Sequence, residues 1–141
     1  MGIQEDARSP RATLAEYWRL AGSEQITEAE ALELLALDIP EVTVSLAMNG
    51  VVTPAVLRAI FDLGGAPADA VLTNRNSPPE LKALAPIGAH SDESLWRFAK
   101  DLDASEAQMQ ALFEELDRSP RPGGPRLADV WHEVVSKHPR P

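Results

Sequence analysis

The sequence has no cysteine among its 141 residues. Disulfide frameworks, thiolate metal sites and cysteine nucleophiles are therefore excluded, and the composition suits a reducing compartment. Apolar runs long enough to cross a bilayer are also missing. Residues 1–11 are polar and of mixed charge and lack the apolar segment of a signal peptide, so we expect a cytoplasmic protein without membrane association.

Basic residues are scarce, because 13 Lys and Arg stand against 22 Asp and Glu, for a formal net charge of -9. The depletion is complete between Leu20 and Leu57, where no Lys or Arg occurs. Six acidic residues lie in that segment: Glu24, Glu28, Glu30, Glu33, Asp38 and Glu41. Such a surface repels nucleic acid, whose binding depends on neutralising phosphates. Only the tail from Arg118 onward is net basic.

The sequence also lacks the motifs of common enzyme classes. It has no Gly-rich phosphate loop and no serine in a nucleophile elbow. His132-Glu133 resembles the start of a zinc-protease motif, but Ser136 stands where the second histidine is required. His90 has no metal-ligating partner at a fixed spacing. We therefore expect no catalytic residues, no metal and no cofactor, and predict a protein that is not an enzyme.

Apolar residues at helical spacing are plentiful in the first half of the chain. The first predicted helix carries a stripe at i, i+3, i+4 and i+7: Leu14, Tyr17, Trp18 and Ala21. Thr27 and Glu30 form a capping box, which predicts the start of a second helix. The inward side chains expected there are Leu32, Leu35 and Ala36. Thr53 followed by Pro54 predicts a later helix start.

Residues 42–48 fit two structures. Their larger apolar side chains alternate with smaller residues, and Asn49-Gly50 follows, which favours a β-hairpin. Pro40 at a first helical turn, with Asn49-Gly50 as the C-cap, favours a short helix instead. The residue pattern alone leaves both open.

The second half is also predicted to be helical. Helices are expected near Pro79, after Ser91, after Ser105 and across 127–135. Two Pro-containing stretches interrupt the pattern and predict linkers or loops: Asn74 to Glu80 and Ser119 to Pro125. We predict an all-α fold with two domains, residues 1–73 and 74–141.

Three segments resemble the Cro and phage-repressor (XRE) family of helix-turn-helix proteins in order and spacing. They are ITEAEALELLAL at 26–37, TVSLAMNG at 43–50 and TPAVLRAIFDLG at 53–64. The resemblance covers about residues 13–72. It implies a five-helix domain in which 28–36 is the first helix of the motif and 41–49 is the recognition helix. It therefore favours the helix for 42–48.

The resemblance also implies a set of DNA-contacting residues: Thr43, Ser45, Asn49 and Arg58. Two functions remain open, each in bacterial transcription control. The charge distribution favours a regulator whose acidic motif face contacts a protein with a basic face. The alternative, favoured by the family resemblance, is a dimeric, sequence-specific DNA-binding repressor.

The second half has the layout of a small helical dimerisation or partner-binding unit. Seven apolar residues are candidates for a protein interface, through which we expect a homodimer: Leu95, Trp96, Met109, Phe113, Leu116, Trp131 and Val135. The same side chains fit an ordinary helical core equally naturally, because aromatic residues anchor both cores and interfaces. The choice depends on their exposure.

Overall fold

The computed structural model describes residues 10–140, with side chains from residue 13 onward. Within these residues the regular structure is helical, apart from an isolated antiparallel bridge between Pro86 and Arg126. The all-α prediction is therefore confirmed. None of the described helices combines the length and the apolar character needed to cross a membrane. The chain divides into two compact units, with the boundary between Asn76 and Ser77.

Five helices lie in the described part of unit 1, residues 10–76. They are α1 (Pro10–Ala21), α2 (Glu28–Ala36), α3 (Pro40–Met48), α4 (Pro54–Phe61) and α5 (Gly65–Leu72). Residues 42–48 are therefore helical, and the β-hairpin alternative is wrong. In the packing of this unit, α3 contacts α1, α2, α4 and α5.

Local capping starts these helices as the sequence predicts. The Thr27 hydroxyl accepts from the backbone N–H of Glu30, whose carboxylate accepts from the backbone N–H of Thr27. The Thr53 hydroxyl accepts from Val56 N–H at the start of α4, where Pro54 occupies the first helical position. Each cap satisfies N–H groups that the helix itself leaves unpaired.

The buried faces of α1 and α2 differ in part from the predicted ones. In α2 the buried residues are Ala31 and Leu34, whereas Leu32 and Ala36 are exposed and Leu35 is half-buried. Small Ala31 allows α2 to lie close to its neighbours, and this fixes which face turns inward. In α1, Tyr17 and Ala21 are buried, but two members of the predicted stripe are exposed: Leu14 and Trp18.

Unit 2 contains four α-helices and one 3₁₀ turn at Ile87–Ala89. The helices are α6 (Pro79–Lys82), α7 (Asp92–Asp101), α8 (Glu106–Arg118) and α9 (Leu127–Lys137). Its core is a cluster of nine buried side chains: Ile87, Leu95, Phe98, Ala99, Leu112, Leu116, Leu127, Val130 and Val134. The Phe98 and Trp131 rings meet edge to face at 5.8 Å, an arrangement favoured by the aromatic quadrupole.

The stretch from Ser119 to Pro125 is a loop, one of the two structures that its composition predicts, and it packs within unit 2. Ile87 N–H donates to Pro125 O and Gly88 N–H donates to Gly123 O, each at 2.8 Å. The Arg121 guanidinium donates to His90 O at 2.6 Å. The stretch is therefore fastened to the 3₁₀ turn by backbone hydrogen bonds, which a residue pattern cannot reveal.

Gly88 is required at this junction. A Cβ at Gly88 would overlap the carbonyl oxygens of Pro120 and Gly123, whereas one at Gly123 would meet only Pro120 Cγ, at 3.6 Å. We expect Gly88→Ala to lower the free energy of unfolding of unit 2 by at least about 2 kcal/mol, because a backbone carbonyl must move. Urea unfolding followed through the Trp131 indole NMR signal measures this.

Gly123→Ala, in the same junction, is the matched control and should cost less than about 1 kcal/mol. Equal losses for the two variants would contradict the close approach of the backbones at Gly88.

Candidate functional site

The C-terminus of α3 is held by the side chains of two buried asparagines. Asn49 Nδ2 donates to Ala21 O at 2.8 Å and to Ser23 O at 2.9 Å. Asn74 Nδ2 donates to Ala47 O at 2.8 Å and to Asn49 O at 2.9 Å. These amides satisfy carbonyls at the ends of α1 and α3, which have no partner within their own helices. They therefore position α3 between α1 and the segment that follows α5.

Two residues of the predicted DNA-contacting set are buried. Asn49 is 8% exposed, and its amide donates to carbonyls at and just after the end of α1. Thr43 is 3% exposed, and its hydroxyl donates to Ile39 O. Both side chains are therefore engaged within unit 1, and the DNA contact predicted for Thr43 and Asn49 stays a prediction.

The other two predicted residues lie on different helices. Ser45 is half-buried on α3. Arg58 is exposed on α4, where its Nε lies 3.3 Å from Asp62 Oδ1. The four residues therefore do not form one polar surface.

The outward face of α3 is apolar and acidic. Glu41 and Met48 are exposed, and Val44 and Ser45 between them are half-buried. Their i, i+3, i+4 and i+7 spacing puts them on one side of the helix. Met48 is 65% exposed at the end of this row. The exposed groups on this side of α3 are thus a carboxylate and a thioether, not the amides and guanidinium groups that read bases.

A groove between α1 and α3 borders this face, and we call it the Trp18 groove. It consists of two adjoining hollows of about 370 and 380 Å³ that share Ala15 and Trp18. The first is also lined by Leu14 and Glu41, and the second by Arg19, Gly22 and Ser45. Trp18 is 59% exposed. Sequence reasoning missed this groove, because a tryptophan on an apolar stripe is expected to be buried.

Arg75 is a second residue that sequence reasoning missed. Its guanidinium lies against Gly50, just after α3, where a Cβ would come within 2.6 Å of Arg75 Nε. The contact puts an exposed cation near the C-terminus of α3, where the helix dipole favours positive charge. No sequence pattern links positions 50 and 75, so the contact between Arg75 and Gly50 is visible only in the folded structure.

The candidate interface of unit 2 also divides by exposure. Leu95 and Leu116 belong to its core, and Met109, Phe113 and Trp131 pack against that core. Leu95 and Leu116 are buried, whereas Met109, Phe113 and Trp131 are partly buried, and the interface role of all five stays a prediction. Trp96 and Val135 remain exposed, at 48% and 38%. Lys100 Nζ lies 5.5 Å from the Trp96 ring centroid.

The basic tail is largely neutralised within unit 2. Four of its cations pair with carboxylates: Arg118 with Glu115, Arg121 with Asp92, Lys137 with Glu133 and Arg140 with Asp103. Three of these pairs have N–O distances of 3.0 Å or less. A nucleic acid would have to compete with these carboxylates, so the tail is a poor phosphate-binding surface.

His90 is part of a buried cluster. It is 1% exposed; its Nε2 lies 2.9 Å from Lys82 O, and its Nδ1 lies 2.9 Å from Ser94 Oγ. Since a carbonyl can only accept, Nε2 carries the proton and Nδ1 accepts from the serine hydroxyl. Both ring nitrogens are engaged, so His90 has none left for a metal. Lys82, also 1% exposed, has its pKa lowered by burial.

Within the part of the chain that the structure describes, no three His, Asp or Glu side chains are grouped so as to hold a metal ion. Comparisons with protein-family models, with curated proteins and with solved structures gave no match for this chain. The surface of the described residues carries one exposed tryptophan in unit 1, Trp18, which lines the Trp18 groove.

The His90 cluster makes unit 2 sensitive to acid. Burial lowers the pKa of His90 from 6.5 to about 4, although its hydrogen bond to Lys82 O opposes the shift. Below pH 6.5 the unfolded chain gains a proton that the folded chain does not bind, so stability falls as the pH drops towards 4. We expect this group to contribute roughly 3 kcal/mol of the loss between pH 7 and pH 4.

Urea unfolding at a series of pH values measures this dependence. His90→Gln should be less stable at pH 7 but should lose roughly 3 kcal/mol less than the wild type on acidification. His132→Gln, the same substitution at an exposed histidine, is the control for the effect of the amino-acid change itself on stability at pH 7. An unchanged slope in His90→Gln would contradict a buried neutral imidazole.

Proposed function

We propose that this chain is a non-enzymatic regulatory protein on a helix-turn-helix scaffold resembling the XRE family, acting in bacterial transcription control through protein contacts. The observation that carries the proposal is the composition of the outward face of α3. The polar side chains of Thr43 and Asn49 are turned inward and hydrogen-bonded. The exposed side chains on the outward face of α3 are those of Glu41 and Met48. Such a face offers a protein partner an apolar contact and repels phosphate.

The helix order of unit 1 supports the scaffold. α2 and α3 are joined by three residues, 37–39, a length typical of helix-turn-helix connections. Asp38 in this connection has φ of 55°, the left-handed conformation that a sharp turn between helices requires. α1 and α5 contact α3, and α4 contacts α2, α3 and α5, which supports the proposed scaffold.

Unit 2 is proposed as a dimerisation or partner-binding unit. With five of the seven candidate residues in or against the core, the proposal rests on exposed Trp96 and Val135. Tryptophan is enriched among the residues that dominate interface energies. The buried Ser94–His90 hydrogen bond gives no support to an enzyme, since both side chains are almost inaccessible to a substrate.

The alternative is a DNA-binding repressor, and one observation favours it. Arg75 lies against Gly50 after α3, and Arg58 is exposed on α4, so two cations lie near the C-terminal part of the segment that has none. These residues could contact phosphates, but they read no bases. Sequence-specific contact would then have to come from Ser45.

Selection of genomic DNA from the source organism tests the proposal. The purified full chain is mixed with sheared DNA at about 100 mM salt, because salt sets the non-specific background. We expect no enriched fragments from protein whose helical circular dichroism is intact. Fluorescence anisotropy with a random duplex should likewise show only weak, salt-sensitive binding.

The control is the double variant Arg58→Glu, Arg75→Glu. Enrichment of a few fragments by the wild-type chain, lost in this variant, would establish the DNA-binding repressor and overturn the proposal.

A further inference from the structure

Asn49 and Gly50 are the one Asn-Gly pair in the sequence, and such a pair is chemically labile. The backbone nitrogen that follows an asparagine can attack the side-chain Cγ, which closes a succinimide ring and expels ammonia. Water then opens the ring to aspartate or isoaspartate. Glycine favours the attack, because it has no Cβ to crowd the nitrogen and its backbone is the most flexible. This pair lies directly after α3.

In the folded chain the Asn49 side chain is held away from this reaction. Its Nδ2 donates to Ala21 O at 2.8 Å and to Ser23 O at 2.9 Å, and its Oδ1 accepts from Val51 N–H at 3.1 Å. The side chain is also buried. Ring closure requires Cγ to turn towards the Gly50 nitrogen, and this movement breaks the bonds to the end of α1.

The peptide group between Asn49 and Gly50 is held as well. Asn49 O accepts from Asn74 Nδ2 at 2.9 Å and from Val52 N–H at 3.2 Å. The Arg75 guanidinium lies against Gly50. Rotation of this peptide group is the other movement that brings the Gly50 nitrogen to Cγ, and it breaks the bond to Asn74. The reaction therefore requires a local opening at the C-terminus of α3.

The product of the reaction does not fit the folded arrangement. Deamidation replaces Nδ2, which donates two hydrogen bonds, by a carboxylate oxygen, which only accepts. In the place of Nδ2 that oxygen would face two other acceptors, Ala21 O and Ser23 O, in a buried position. A buried charge without a donor is costly. A chain deamidated at position 49 therefore loses the bonds that position α3.

We propose that Asn49-Gly50 is a deamidation site controlled by the fold of unit 1. The bond from Gly50 N to Asn49 Cγ forms, the Cγ–Nδ2 bond breaks, and the proton of the attacking nitrogen leaves with the ammonia. One water then opens the ring. The docked side chain does not react, but each opening exposes it, and the product does not dock again. A transient opening thus becomes a permanent loss of folded unit 1, which limits the lifetime of the protein. No partner is involved, so the inference is independent of the proposed function.

The rate of deamidation in the folded and the unfolded chain tests the protection. The full chain is incubated in mildly alkaline buffer with and without guanidinium chloride, and its proteolytic peptides are followed by mass spectrometry. We expect Asn49 to react at least about tenfold more slowly without denaturant. Asn74 and Asn76, which precede larger residues, are internal controls and should react more slowly than Asn49 in denaturant. Gly50→Ala should slow the reaction of Asn49 in denaturant, because it adds a Cβ beside the attacking nitrogen.

Two variants test the fate of the product. Asn49→Asp should lower the equilibrium constant for folding of unit 1 at least about tenfold, as measured by urea unfolding followed through the Trp18 indole NMR signal. Gln25→Glu adds the same charge at an exposed position and should leave that constant nearly unchanged. After partial deamidation in denaturant and dilution into buffer, the refolded fraction should be depleted of chains deamidated at position 49.

Three results would overturn the inference. Equal reaction rates of Asn49 with and without denaturant would show that the fold gives no protection. Asn74 or Asn76 reacting as fast as Asn49 in denaturant would remove the special lability of the Asn-Gly pair. Wild-type stability of Asn49→Asp would show that the product docks as well as the amide does.

Discussion

The amide groups of Asn49 and Asn74 determine how α3 lies in unit 1. Each donates two hydrogen bonds to backbone carbonyls, one of which lies at a helix end: Ala21 O for Asn49 and Ala47 O for Asn74. An unpaired buried carbonyl costs about 1 to 3 kcal/mol, so the bonds to Ala21 O and Ala47 O favour one position of α3. That position turns Asn49 away from solvent and leaves the side chains of α1 and α3 to form the Trp18 groove. The surface chemistry of unit 1 therefore follows from how its helix ends are satisfied.

Local signals in the sequence were sufficient for most of the helices, but not for α3, whose residues also fitted a β-hairpin, and not for the faces that the helices bury. The capping box at Thr27 and Glu30 needs only residues three apart, and the structure has it as predicted. α2, however, has leucines at 32, 34 and 35, so more than one face is apolar, and the choice of Leu34 depends on its neighbours. Gly88 and the Pro-rich stretch meet only in the folded unit, where backbone hydrogen bonds join them.

The candidate site shows the same division between local and tertiary information. The absence of Lys and Arg from residues 20–57 is visible in the sequence alone, and it already disfavours binding of duplex DNA. The burial of Thr43 and Asn49 and the exposure of Trp18 depend on how α1 packs on α3, so the residue pattern could not distinguish them. The charge of the sequence and the exposure of the side chains agree that the outward face of α3 is acidic and apolar. A regulator that contacts proteins through this face accounts for the charge and for the exposed tryptophan together.

The most direct test of this account is the solvent exchange of the Asn49 side-chain amide protons, measured by NMR on the full chain. Gln25, whose side chain is exposed, is the internal reference. The account predicts that the Asn49 protons exchange at least roughly tenfold more slowly than those of Gln25 and do not shift when a DNA duplex is added. Exchange as fast as that of Gln25, or a shift on adding the duplex, would mean that Asn49 is free to reach DNA, and the account would be wrong.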